Sequence, residues 1–413
     1  MHILHVTQNY YPSRGGTQHT MQHVSEYLAQ KYNDEVAVYT TNSYYGPNRK
    51  NFRKIPLQQE VVNGVQVKRF PFIKIHKPLI RYYSRIKSRV FRGEAGDFLT
   101  ALNAGPLSPS LRNAMLHTGA DVICASSMHY LFADYPSWGN GANSNKPFVL
   151  YGALHVKEGE EVSAQYLKRI SQADYYIANT GFEKEYLVAR GINAAKIKVT
   201  GAATDVFEYA LQLSEIETIK HKYHLDEGSK VILCLCRHEA SKNIEWLLQA
   251  YKLLRQQGQH VYLLLAGARG GLTDSLLALA EKDPHIRVLF DFSDKEKCEL
   301  LKLADMVVLP SVSESFGVVF LEGWSYHKPV IGANIGAIAS VIDDGINGLL
   351  FKPGDMEDLS EKVKTLLTNN QLCNAFGNNG YQKVMRLYTW PIVSSAFRSV
   401  YELAIQSKKG VTV

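Results

Sequence analysis

Residues 310–322 read PSVSESFGVVFLE: an apolar run ends, a polar loop carries Glu314, and a helix begins near Phe316 and Gly317 with Glu322 inside it. A strand that turns directly into a helix leaves the first helical N–H groups without intrahelical acceptors, and at the carboxyl edge of a parallel sheet such groups point at ligand. The amides of Gly317, Val318 and Val319, entered through Ser315 and Phe316, are therefore candidate phosphate donors, and Gly317 lets a ligand approach closely. Glu322 stands where a carboxylate accepts from both hydroxyls of a nucleotide's ribose, and Glu314 faces the group beyond the phosphates. Two acids at this spacing are common on solvated helices, so the strand, loop and helix around them give the pair its meaning.

Toward the N-terminus, residues 236–250 read CRHEASKNIEWLLQA. Arg237 closes a buried strand, and Lys242 follows just before an amphipathic helix, so both side chains can reach the strand ends. A diphosphate leaving group gains negative charge as its bond breaks, and an arginine with a lysine can stabilise that charge without a metal. Taken alone, such a pair is ordinary surface charge. No Asp-x-Asp pair, the short acidic motif that carries a divalent cation in many nucleotide-sugar enzymes, occurs in the chain, so no metal and no cofactor is expected. Further out, the strand His2 to Thr7 runs into Pro12-Ser13-Arg14-Gly15-Gly16-Thr17 and a helix from about Gln18. By itself the Gly15-Gly16 loop is a plain β–α turn; opposite the other two segments it becomes a second wall of one site.

Short β-branched runs alternate with amphipathic helical stretches along the whole chain, which predicts parallel sheets. One set comprises His2 to Thr7, Val36 to Thr40, Asp121 to Ala125, Phe148 to Tyr151, Tyr175 to Asn179 and Ile197 to Thr200. After the polar helical stretch Leu211 to Lys230 the rhythm restarts with Val231 to Cys236, Val261 to Ala266, Arg287 to Phe290, Met306 to Leu309 and Pro329 to Gly332. At 413 residues the chain exceeds one ordinary core, so it is read as two α/β domains, 1–205 and 206–389, with a cleft between them. The final helix, Trp390 to Gln406, could pack on either.

A hydrophobic content of 46% and a charged content of 21% exclude disordered and fibrous classes. The net charge of +7 favours anionic partners without demanding nucleic acid. Five scattered cysteines, with Cys234 and Cys236 on one face of a buried strand, point to reduced thiols and a cytosolic chain in place of a metal or redox pair. No apolar run reaches a membrane span, and the N-terminus opens on a strand, so a soluble or peripheral protein is expected. Ile73 to Arg92 interleaves seven basic residues with apolar ones and contains no acid, a pattern that suits a membrane interface or an anionic acceptor as well as a surface helix.

Together and in this order, these segments resemble the family 4 glycosyltransferases of the GT-B fold over nearly the whole chain. The likeness rests on Gly15-Gly16, on Arg237 with Lys242, and on Glu314 with Glu322 in the E-x7-E arrangement of ESFGVVFLE. The runs Lys328-Pro329-Val330-Ile331 and Gly345 to Leu350 are similar too. The resemblance implies two Rossmann-like domains facing across a cleft and a retaining, metal-independent enzyme. Its N-terminal domain would bind a glycan or lipid-linked acceptor, and its C-terminal domain a UDP- or GDP-linked sugar. The last helix, 390–413, would cross back onto the first domain. His155, in the run Tyr151-Gly152-Ala153-Leu154-His155, looks like the family's histidine near the donor sugar, with His129 a lesser candidate.

By the same resemblance Arg237, Lys242, Glu314 and His155 serve the reacting centre. The loop of Asp291 and Phe292 meets the base. The expected setting is cytoplasmic, peripheral on the inner face of a membrane, in glycan, polysaccharide or glycolipid biosynthesis. Three departures put loop shape in question: Ala202-Ala203 where Asn-Gly is usual, Asn243 where glycine follows the lysine, and Asp291 where glycine is usual. A carboxylate at Asp291 could accept from a guanine edge and favour GDP. Two other classes share parts of the pattern. A dinucleotide-dependent oxidoreductase needs a G-x-G-x-x-G after its first strand, which is missing here. A non-catalytic nucleotide-sugar-binding protein needs only the binding residues.

Overall fold

The computed structural model describes residues 1–13, 15–45, 52–73, 107–127, 130–137, 146–156, 161–205 and 213–410. Arg14, His129 and the basic stretch from Lys74 to Arg92 lie outside the described residues. Contacts divide the chain into two compact units. The first takes residues up to 154, then 161–200 and from Trp390 onward; the second takes Gly201–Thr389 with His155 and Val156.

In the first unit the strands are β1 (His2–Val6), β2 (Glu35–Thr41), β3 (Ser43–Tyr45), β4 (Phe52–Lys54), β5 (Gln59–Val62), β6 (Val65–Phe70), β7 (Val122–Ser126), β8 (Phe148–Tyr151), β9 (Tyr175–Ala178) and β10 (Ile197–Val199). Eight of them form one sheet in the order β10-β9-β8-β7-β1-β2-β6-β5. β7 and β8 are buried along their full length. They read as continuous apolar runs because a parallel sheet is covered on both faces. The expectation of a parallel sheet needs one correction. β5 runs antiparallel to β6, joined through Asn63 and Gly64 at φ 49° and 87°. Asn-Gly with both φ positive is the turn whose twist matches a two-residue hairpin.

The helix Trp390–Lys408 packs on this first unit, burying Val393, Phe397, Val400, Tyr401 and Ala404. His5 of β1 ties it down: Nδ1 lies 2.7 Å from Ser25 Oγ and Nε2 2.9 Å from Tyr401 Oη. Ser25 spends its own proton on Met21 O, so Nδ1–H donates to Ser25 and the neutral ring accepts from Tyr401. Burial lowers the pKa of this imidazole to about 3.

The second unit contains β11 (Lys230–Leu235), β12 (Val261–Ala266), β13 (Ile286–Leu289), β14 (Met306–Leu309), β15 (Val330–Ala333) and β16 (Gly348–Phe351). Their order, β13-β12-β11-β14-β15-β16, reverses direction between β11 and β14. Loops leaving those two neighbours at their carboxyl ends diverge to opposite faces and open a crevice, the usual ligand position in such sheets. The helix Val318–Ser325, which follows β14, is pressed into place by glycines. A Cβ on Gly323 would lie 3.0 Å from Val307 Cγ2 of β14, and one on Gly380 of the Asn370–Leu387 helix 2.0 Å from Trp324 Cδ1. Trp324 is fully buried and donates from Nε1 to Asn347 O at 2.8 Å. Mid-helix glycine costs about 1 kcal/mol against alanine, a cost offset here by close helix packing.

Candidate functional site

Both loops that the sequence marks as chemical leave the β11–β14 crevice. Strand pairing sets Ile232 beside Met306 and Leu233 beside Val307, so the residues beyond Leu235 and Leu309 emerge next to each other. After β11 come half-buried Arg237 and, in the short turn Ala240–Lys242, Lys242. After β14 comes the loop of Glu314. The structure brings the two together: Lys242 Nζ donates to Glu314 Oε1 at 2.5 Å, with side chains 16% and 12% exposed.

The helix after this loop spans Val318–Ser325, with Gly317 as its N-cap at φ 90°, ψ 56° and no side-chain cap. That is left-handed backbone, where a side chain is strained, and a Cβ would also lie 2.6 Å from the Phe320 ring. Among the described residues the N–H groups of Gly317, Val318 and Val319 meet no protein acceptor. A helix N-terminus of this kind carries partial positive charge and takes anions. Ser315 is half-buried in the approach to it. Phe316 is buried, and its ring packs edge-on against Tyr388, ring centroids 5.2 Å apart.

Glu322 lies one turn along, leaning back toward the free amides as helical side chains do. Its Oε1 is bound by Lys297 Nζ, from the helix Asp294–Leu303. The sequence reading missed Lys297, because nothing local marks a lysine whose partner is 25 positions away on another helix. Burial works to deprotonate Lys297, but the carboxylates of Glu322, Asp294 and Asp205 outweigh it and hold the ammonium above its ordinary range.

The glycine departures resolve in the backbone. Asn243 has φ 53° and Asp291 φ 56°. Both occupy the left-handed region, which asparagine and aspartate tolerate better than other side chains. In the turn before Ala202 and Ala203, which are buried, the left-handed residue is Gly201 at φ 78°. The exposed Asp291 has Arg269 beside it, Nε to Oδ2 3.9 Å, and that guanidinium lies 3.9 Å over the Phe290 ring. Phe292 packs partly against the core. Gly267 follows β12 where a Cβ would overlap Cys236 O at 1.7 Å, so this glycine lets two strand ends close up.

His155 groups with the second unit, its Nδ1 3.3 Å from Ser313 O, the carbonyl just before Glu314. A carbonyl only accepts, so in this contact Nδ1 is the donor. In the first unit, Gly15 caps the helix Gly16–Tyr32 with extended backbone, φ 168°. Any residue adopts that conformation, and a Cβ on Gly16 would meet nothing within 4 Å, so no contact requires glycine there. Cys234 and Cys236 are free thiols with Sγ atoms 3.7 Å apart. Among the described residues no helix is long and apolar enough to cross a membrane.

Two α/β units built on mainly parallel sheets, the second with unpaired helix-start amides and two carboxylate–lysine pairs near its switch point, have the GT-B architecture. Residues 215–383, most of the second unit, match the family described as Glycosyl transferases group 1. An uncharacterised glycosyltransferase of Methanocaldococcus jannaschii is 25% identical over 62% of this chain and 66% of its own length. The phosphatidyl-myo-inositol mannosyltransferase of Mycobacterium leprae is 31% identical over 45% of this chain and 49% of its own. The chain thus spans less than two thirds of either curated relative. Among solved structures, Anabaena HepE in complex with UDP and glucose superposes with a TM-score of 0.69 at 17% identity, covering 98% of this chain and 100% of that one.

Proposed function

We propose that this protein is a retaining glycosyltransferase that moves a sugar from a nucleoside diphosphate to an acceptor hydroxyl in glycan, polysaccharide or glycolipid biosynthesis. The observation that carries this reading is the β11–β14 crevice, where Lys242, Glu314 and the unpaired amides of Gly317, Val318 and Val319 share one strand-end position. A diphosphate laid on those amides has its negative charge met by the helix start and by Arg237 and Lys242, in the role a metal ion plays elsewhere. Glu322 then takes the ribose hydroxyls and Glu314 the sugar hydroxyls.

In the reaction the bond between the anomeric carbon and the phosphate oxygen breaks while a bond to the acceptor oxygen forms on the same face of the sugar. The acceptor's proton passes to the departing diphosphate oxygen. No side chain becomes a nucleophile. His155 orients the sugar by accepting from a hydroxyl through Nε2. Asp291, facing the two donors of a guanine edge, selects GDP over UDP. The acceptor is a glycan or lipid-linked saccharide, met at the cytoplasmic face of a membrane through the stretch from Ile73 to Arg92.

A panel of UDP- and GDP-sugars, with and without a crude lipid extract as acceptor and with EDTA present, tests this. Release of nucleoside diphosphate is expected from one donor class, reduced roughly a hundred- to thousandfold in Lys242→Ala. Turnover that disappears on chelation would remove the metal-free part. Full activity in both Lys242→Ala and Glu322→Ala would remove the site assignment, and no release from any donor would leave only a binding protein.

A further inference from the structure

Lys297 is a cation near a helix start that holds a carboxylate. It sits in the opening turns of the helix Asp294–Leu303, whose start is already closed by a reciprocal cap between Ser293 and Glu296. Cations are disfavoured near a helix N-terminus, which carries partial positive charge. The side chain is nonetheless two-thirds covered, 33% exposed, and is directed onto a carboxylate that is only 17% exposed. Surface lysines have no need of such a place. The partner is Glu322, one turn from the free amides of Val318 and Val319.

We propose that Lys297 is a positioning residue for donor recognition: by fixing Oε1 of Glu322 it turns the second carboxylate oxygen toward the vicinal hydroxyls of a nucleotide's ribose. A carboxylate has about four lone-pair directions on its two oxygens. With one oxygen tethered, the other keeps room for two hydroxyl donors in a fixed direction. Without the tether, the carboxylate rotates among rotamers and the ribose contact loses its geometry. This inference rests on the donor-site reading above and adds to it the residue that makes recognition specific for ribose.

The test is calorimetric binding of UDP and GDP and of their 2′-deoxy counterparts to the wild-type chain, Lys297→Met, Lys297→Arg, Glu322→Gln and the Lys297→Met/Glu322→Gln double variant. The wild type should prefer the ribonucleotide by about ten- to hundredfold, the worth of a hydrogen bond to a charged acceptor. Lys297→Met should bring that ratio to within about threefold, Lys297→Arg should restore most of it, and the double variant should discriminate no less than Glu322→Gln alone. A ribo-to-deoxy ratio unchanged in both Lys297 variants, with Glu322→Gln losing it, would overturn the tether while leaving the donor site standing. A wild type that binds neither nucleotide, or binds ribo and deoxy forms equally, would overturn both. Should Lys297→Met fail to fold, Lys297→Ala is measured in its place, and a ribo-to-deoxy ratio equal to that of the wild type refutes the proposal.

Discussion

Lys242 Nζ and Glu314 Oε1 stand 2.5 Å apart across the two strand ends of the second unit. The lysine proposed for the diphosphate is thus held by the carboxylate proposed for the sugar. In the proposed reading, a diphosphate competes for the ammonium with a carboxylate that is itself largely covered.

A sign follows for Glu314→Gln. Removing the negative charge frees Lys242, so a nucleoside diphosphate should bind more tightly, by about fivefold for an interaction of about 1 kcal/mol. Turnover should fall in the same variant, because the sugar hydroxyls lose a charged acceptor with two oxygens and meet an amide with one. Titration calorimetry alongside nucleotide release reads both. Weaker binding in Glu314→Gln would show that the carboxylate helps hold the ligand and does not compete for the lysine.

Gly317→Ala should lower the melting temperature of the second unit by several degrees. The residue has φ 90°, and an added Cβ would lie 2.6 Å from Phe320 Cε2. Backbone strain of this kind costs about 1–3 kcal/mol before the clash is counted. Diphosphate affinity should drop further, since the amides that follow are displaced. A variant that melts with the wild type would mean that the turn relaxes without cost.

Acid should loosen the first unit through His5. Its folded pKa is lowered to about 3, against an ordinary 6.5. Between those values the unfolded chain binds a proton that the folded one refuses, so the stability is fully present above about pH 6.5 and is lost as pH falls toward 3. The total is on the order of a few kcal/mol. Melting curves from pH 8 to pH 4 should fall more steeply for the wild type than for His5→Gln, which starts less stable and stays flatter. Parallel profiles would exclude His5 as the titrating group.

Asp291 should make GDP the tighter ligand. A carboxylate accepting from the two N–H donors of a guanine edge is worth about ten- to hundredfold over uracil, which lacks that pair. Asp291→Gly should reduce the difference while leaving the turn intact, since glycine accepts φ 56° without strain. UDP binding more tightly than GDP to the wild type would reverse the assignment and point to Arg269, 3.9 Å from the carboxylate, as its resting partner.

Much of the architecture was legible before any coordinate. Runs such as Val231 to Cys236 and Met306 to Leu309 read as buried strands because parallel strands covered on both faces lose their alternation. PSVSESFGVVFLE announced a strand, loop and helix because glycine and small polar residues mark where backbone direction changes. The β5–β6 hairpin was overlooked although Asn63-Gly64 carries its signal in two letters. The packing of the Phe316 ring on Tyr388 has no local signal, because the two residues lie far apart in sequence.

By itself, then, the order of residues determined where strands and helices lie and which short loop leads into a helix start with unpaired amides, since those depend on interactions within a few positions. Which loops meet was decided by strand order: β11 pairs with β14 across an intervening β12 and β13, and only that pairing sets Lys242 against a carboxylate 72 residues away. The partnership of Lys297 with Glu322 belongs to the same level. Both contacts arise because an entire hydrophobic core must close before either charge finds its counter-ion, and no local pattern encodes that outcome.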